Sequence, residues 1–387
     1  MEFELWWLLV LPLFFGLGWL AARVDIRHVM SESRSVPASY FRGLNYLLNE
    51  QPDRAIEAFI EVVKVDSDTV DLHFALGGLF RKRGEIERAI RMHQNLVERE
   101  DLSPERQLKA RFELGQDYLK AGLLDRAEAI FGALQQGEKA EEAQRFLLEI
   151  FVQERDWGQA LMAARALSKV DSRSYQIEIA QLLCELATDT WLKDQVEVAR
   201  DYLRDALSAN RICVRANMLL GDIASARGEQ EEAIAVWRRI ELQDVLYLSL
   251  VAERLILAYR EIGKEREGLQ FLQQALTRQP SQELCDIVFS AVLRSDGAQA
   301  ALQLAQDFLR RMPSLRNLDH VLEAQILLAA PEQQLDLQSS KQAVQRYIQA
   351  KSAYVCEHCG FRARNHFWRC PACGRWESFL PNKKEEN

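Results

Sequence analysis

A spacing of 34 residues constrains this chain more than any other feature of it. Gly43, Tyr46, Ala55 and Phe59 recur as Gly77, Phe80, Ala89 and His93, each shifted by 34. The same order returns in Leu114, Gly115, Tyr118, Gly122, Ala127 and Phe131, and again in Leu220, Gly221, Gly228, Ala233 and Trp237. A unit of this length with apolar residues at three-four spacing predicts two helices joined by a turn. Ile86, Ala89, Ile90, Leu96 and Val97 follow one face of such a helix, while Glu85, Glu87, Arg88 and Arg91 fall on the other side. The glycine and alanine are small because the two helices cross there. The aromatic residues are expected to fill the space between neighbouring units.

These positions resemble the tetratricopeptide-repeat family, including a proline that closes the unit at Pro280 and Pro313. The resemblance predicts an all-α superhelical solenoid over residues 36–350 with eight or nine units. Units around Ala160, Ala199, Gly268 and Ala301 keep the small residue of the second helix but lose the signature of the first. Stacked units bury a core only with their neighbours, and their first helices line a concave groove suited to a protein segment. By family position the partner-binding candidates are Asp71, Phe74, Arg81, Lys82, Lys109, Phe112, Gln116 and Lys120, although any one of them also reads as ordinary helix surface. Cys184, Cys213 and Cys285 stand among apolar helix residues and read as small buried hydrophobes.

Ahead of the array, residues 5–22 form an uninterrupted apolar run of about the minimum length for a transmembrane helix. Trp6, Trp7 and Trp19 lie near its ends, as interfacial aromatics do. Glu2 and Glu4 precede it where a cleaved signal peptide needs positive charge. Arg23, Arg27 and Arg34 follow it, which predicts a short periplasmic stretch 1–4, a cytoplasmic linker 23–35 and a single-pass protein whose bulk faces the cytoplasm. Gly18 and Ala22 form a small-xxx-small pair that would admit a homo-oligomer.

The other four cysteines lie together. Cys356-x-x-Cys359-Gly and Cys370-x-x-Cys373-Gly are paired hooks separated by ten residues, so four thiolates can converge on one tetrahedral metal ion. Residues 354–380 are too few to fold on an apolar core alone, and the metal must supply much of their stability. Both zinc and iron accept this ligand set. His358, inside the first hook, reads as a bystander because four cysteines already close the shell. Tyr354, Phe361, Phe367, Trp368 and Trp376 would pack around the site or dock onto the last repeat helices, and residues 381–387 would form a flexible tail. The hooks look like the rubredoxin and zinc-ribbon group.

A formal charge of -8 argues against a nucleic-acid partner despite Arg362, Arg364, Arg369 and Arg375 in the ribbon. No phosphate-cradling glycine loop, His-Glu-x-x-His or serine elbow is present, and the histidines form no cluster in sequence, so the chain does not read as an enzyme. The membrane run, the array and the strings YVCEHCGF and CPACGRW together resemble the lipopolysaccharide assembly protein B family. That resemblance implies an inner-membrane adaptor that acts with the protease FtsH to promote degradation of LpxC, the lipid A pathway deacetylase, and that engages membrane regulators of lipopolysaccharide synthesis. The alternative is a scaffold that gathers the biosynthetic enzymes at the membrane without a proteolytic role.

Overall fold

In a computed structural model of the chain, residues 38–49, 51–65, 70–171, 174–381 and 384–385 are described, together with Trp19. The expected membrane segment 5–22, apart from Trp19, and the linker 23–35 lie outside the described residues. Among those described, no helix is long and apolar enough to cross a membrane. The chain divides into two compact units, Met1–Ala143 and Gln144–Asn387.

The described residues form an all-α tetratricopeptide-repeat solenoid followed by a small ribbon. Its helix pairs are α1 (Ala38–Leu48) with α2 (Pro52–Val65), α3 (Val70–Arg83) with α4 (Ile86–Val97), and α5 (Pro104–Lys120) with α6 (Leu124–Ala133). There follow α7 (Ala140–Glu154) with α8 (Trp157–Val170), α9 (Gln176–Leu192) with α10 (Val196–Ala209), and α11 (Val214–Ala226) with α12 (Gln230–Arg238). A short helix α13 (Ile240–Gln243) and a 3-10 turn (Val245–Leu250) lead to α14 (Ala252–Glu261) with α15 (Glu265–Arg278). The last pairs are α16 (Gln282–Ser295) with α17 (Ala298–Arg311), and α18 (Leu315–Leu328) with α19 (Pro331–Lys351).

The repeat signature has a local physical cause. A Cβ built on Gly43, Gly77, Gly115 or Gly221 would lie between 2.2 and 2.8 Å from the nearest atom of Phe59, His93, Phe131 or Trp237. Each ring comes sixteen residues after its glycine, so the aromatic closes on the crossing within its own unit. The rings also reach the next unit, as expected: Phe59 packs in one cluster with Leu72 and Leu76 of α3, and Trp237 in one with Leu255 of α14. Phe131 also meets Phe112 edge-on at 5.7 Å, and Trp237 donates from Nε1 to the Met218 carbonyl at 3.2 Å.

Several turns inside the pairs close in one way. Glu85 N donates to Phe80 O at 2.9 Å, Leu123 N to Tyr118 O at 2.9 Å, and Glu229 N to Ala224 O at 2.9 Å, after a glycine in the left-handed region. In the pairs around Ala160 and Ala199 the same bond is made by Asp156 N to Phe151 O and by Gln195 N to Thr190 O, but the left-handed residues are Arg155 (φ 60°) and Asp194 (φ 61°). The repeat is degenerate there in sequence and regular in backbone. Between pairs, Pro280 and Pro313 each precede a serine N-cap, Ser281 on Leu284 N and Ser314 on Asn317 N.

In unit 1, His93 replaces the aromatic ring and is wholly buried. Its Nδ1 pairs with Asp117 of α5, also wholly buried, and Arg81 of α3 reaches both Asp117 and Glu113. Three helices are thereby tied by one charged chain, and desolvation of Arg81 is outweighed by these carboxylates, which raise its pKa. In unit 2 the core runs continuously from Val214 through Trp237, Tyr259, Leu272 and Phe289 to Ala324.

Candidate metal centre

The ribbon starts where α19 ends. Strand β1 (Ser352–Val355) pairs antiparallel with β2 (Arg362–Ala363) on one side and β3 (Lys384–Glu385) on the other. Part of the segment expected as a flexible tail therefore belongs to the sheet. The two cysteine hooks repeat one hydrogen-bond pattern. Cys356 N donates to Phe361 O at 2.8 Å and Gly360 N to Cys356 O at 2.9 Å; Cys370 N donates to Arg375 O and Gly374 N to Cys370 O, both at 2.9 Å. Gly360 (φ 75°) and Gly374 (φ 70°) supply the left-handed step that this turn requires.

The hooks bring all four sulfurs within 4.8 Å of one another. Cys356 Sγ lies 3.8 Å from Cys373 Sγ, and Cys359 Sγ lies 3.7 Å from Cys370 Sγ. A tetrahedron of thiolates at about 2.3 Å from zinc has edges of about 3.8 Å, so the cage fits such an ion. Burial works to raise the Cys356 thiol, but its hydrogen bond with Ser378 and those from the amides of Cys359 and His358 bring it down to about 6. At Cys359 the Phe361 amide favours the thiolate, yet burial and the three neighbouring cysteines push it up to about 12. Four thiolates at this separation repel one another unless a cation lies among them, and a metal supplies that charge. The closed donor set leaves no coordination position for substrate, which suits a structural ion. His358 stays outside the cage, its Nδ1 2.8 Å from Arg375 Nη1.

The ribbon's aromatics gather around the site, as one of the two expectations had it, and the ribbon leans on α9, α11 and the 3-10 turn, while Tyr354 also lies near Glu283 of α16 and Arg316 of α18. Trp368 stacks on Tyr247 of the 3-10 turn, with ring centroids 5.7 Å apart and planes 13° from parallel, and Arg215 of α11 lies over its ring. His366 meets Tyr247, Tyr354 and Trp368 edge-on and pairs through Nε2 with the Phe379 carbonyl at 3.0 Å. Glu377, itself in the left-handed region, accepts from Gln181 Nε2 of α9 at 2.7 Å. The Ser249 hydroxyl donates to the Pro381 carbonyl. Tyr247, Arg215 and Gln181 thus offer the ribbon a flat ring, a cation and an amide. Phe361 and Phe367 remain 39% exposed, whereas Phe379, which the sequence reading passed over, is the buried centre of the ribbon.

A cleft of about 870 Å³ separates the ribbon from α7 to α9, lined by Trp157, Glu185, Arg215, Trp368, Arg369 and Trp376 among others. Of the partner-binding candidates in unit 1, Phe74 and Phe112 are buried, with Lys109 and Lys139 over their rings, and Arg81 is engaged in the charged chain. Asp71 pairs with Arg106 at 3.3 Å, Gln116 is half-buried, and Lys82, Lys109 and Lys120 are exposed. Cys184, Cys213 and Cys285 are buried, the first two with sulfurs 3.9 Å apart.

A rubredoxin metal-binding-domain model matches residues 354–381, and a tetratricopeptide-repeat model matches residues 42–101 and 184–243. Lipopolysaccharide assembly protein B of Escherichia coli K12 is 31% identical over 376 residues, which cover 96% of this chain and 97% of that protein. The chain belongs to the lipopolysaccharide assembly protein B family. Its Haemophilus influenzae member is 29% identical over 394 residues, covering 98% of each chain. Among solved structures, the C-terminal part of a tetratricopeptide-repeat protein from Cytophaga hutchinsonii aligns at 14% identity over 60% of this chain and 93% of that one, with a TM-score of 0.41. So loose a likeness bears on nothing further. Family membership thus rests on a match that runs through both the array and the ribbon.

Proposed function

We propose that this chain is an inner-membrane adaptor that restrains lipopolysaccharide synthesis by bringing the deacetylase LpxC to the protease FtsH. The carrying observation is the near-full-length match to proteins named lipopolysaccharide assembly protein B, with repeat array and metal ribbon in the same order. Helix-pair arrays of this kind bind protein segments, and the ribbon adds the cleft beside α7 to α9. The apolar run 5–22 would hold these surfaces at the cytoplasmic face of the inner membrane, where tethering raises the effective concentration toward a membrane-bound protease, so weak contacts suffice. The metal, zinc or iron, keeps the ribbon folded on the array and takes no part in chemistry.

The test is the half-life of LpxC in cells with the chain, without it, and with a form lacking the first 22 residues. A longer half-life in the second and third cases supports the adaptor. An unchanged half-life removes the proteolytic role and leaves the scaffold.

A further inference from the structure

The last helix pairs carry a group of ligand-capable side chains outside the ribbon. Asp319, His320 and Glu323 of α18 each place one ligand-capable atom within 4.8 Å of the others. Spacings of three and four residues put Glu323 on the same side of the helix as the other two. From α16, Asp286 Oδ1 lies 2.8 Å from His320 Nε2. An ionised carboxylate only accepts, so that pairing places a ring proton on Nε2, and in the neutral imidazole the Nδ1 lone pair is then left for a ligand. Both His320 Nδ1 and Asp319 Oδ1 are wholly buried and have no hydrogen-bond partner in the protein. Two acceptors removed from water in one place are unfavourable unless something positive lies between them. The imidazole is also held in place, stacked on Phe289 with centroids 4.2 Å apart. A histidine that binds metal through one nitrogen characteristically donates the other N–H to a carboxylate, the part Asp286 takes here.

We propose that Asp319, His320 and Glu323 form a second metal site, which takes a divalent ion of the zinc type through His320 Nδ1 and the two carboxylates. A mixed nitrogen and oxygen donor set suits such an ion, unlike the all-sulfur cage of the ribbon. Three protein ligands leave a coordination position open to water or to a donor from a bound protein. Arg316 pairs with Asp286 and Glu283 at 3.2 and 3.3 Å, which balances the charge behind the histidine. Lys341 of α19 opposes the metal. Its Nζ lies 3.0 Å from Glu323 Oε2, so it holds Glu323 while the site is empty and must release it on binding. A proton is the rival occupant, because burial pushes the Asp319 carboxyl up, with Lys341 acting the other way.

The test uses the full chain with its ribbon loaded with zinc, equilibrated by dialysis against micromolar free zinc and assayed for zinc per chain by elemental analysis. The site predicts two ions per chain in the parent protein and one in the Asp319→Asn/Glu323→Gln double variant, with helical circular dichroism unchanged. Lys341→Met removes the competing charge and tightens binding of the second ion by about tenfold or more. One ion per chain in the parent protein, two in both parent and double variant, or weaker binding in Lys341→Met would each overturn the proposal.

Discussion

Two adjacent glycines in α3 allow a test with opposite signs. Gly78 faces open space: a Cβ placed there meets nothing within 4 Å. Gly78→Ala therefore changes only the backbone entropy of a helix interior and stabilises by about 0.5–1 kcal/mol. Gly77 gains the same term, but its Cβ would lie 2.3 Å from His93 Nε2 and 2.5 Å from Cε1. The ring must retreat by about 1 Å to reach ordinary contact. It is not free to do so, because Nδ1 is fixed on the buried Asp117, which Arg81 holds in turn. Overpacking costs about 1–3 kcal/mol and a weakened hydrogen bond to a charged group about 1.5–3 kcal/mol. With the helix gain subtracted, Gly77→Ala destabilises by about 1.5–5.5 kcal/mol. Unfolding of a repeat array is not all-or-none, so the readout is local: amide hydrogen exchange of α3 and α4 by mass spectrometry. Exchange through local opening should accelerate by at least tenfold in Gly77→Ala and slow severalfold in Gly78→Ala. Equal shifts of the same sign would refute the claim that the repeat glycine exists to admit the ring.

Cys370→Ser should lose the ribbon's metal while keeping most of the helical circular dichroism signal; loss of most helicity would contradict the division between array and ribbon. Trp368→Ala removes the stack on Tyr247 and should cost about 2–4 kcal/mol of ribbon docking, seen as faster proteolysis near residues 352–381. Burial pushes the His366 imidazole below its usual value, with the Phe379 carbonyl acting the other way. Between that lowered pKa and about 6.5 the unfolded ribbon binds a proton that the folded one does not, so ribbon stability should fall as pH drops through this window. His366→Gln keeps a donor for the carbonyl without titrating, and should remove that part of the pH dependence in thermal melts monitored by tryptophan fluorescence.

The sequence was readable wherever a position is fixed by local sterics. Gly43, Gly77, Gly115 and Gly221 announced the helix crossings because no larger residue fits against the ring that follows. The four cysteines declared their convergence because hook spacing and the glycine after each hook have few other uses. The pairs around Ala160 and Ala199 were faint because Arg155 and Asp194 adopt by tertiary constraint the backbone that glycine adopts readily elsewhere. The ribbon's contacts with earlier helices were not legible for a different reason: they depend on Tyr247 and Gln181, which are more than a hundred residues from Trp368 and Glu377 and carry no mark in sequence. Histidines that looked scattered acquired carboxylate partners only through stacking of helix pairs, His93 with Asp117 and His320 with Asp286.

The hydrogen bond between Gln181 and Glu377 spans 196 positions. Repeat chains ordinarily melt from their ends, since each module leans only on the next. Here the ribbon returns to brace α9, α11 and the 3-10 turn, more than a hundred residues before it in the chain, so these modules lean on more than their sequence neighbours. Removing one ion with a chelator should therefore be felt by helices far from any cysteine in the cage, and the cell's supply of that metal becomes a condition on how rigid the array can be.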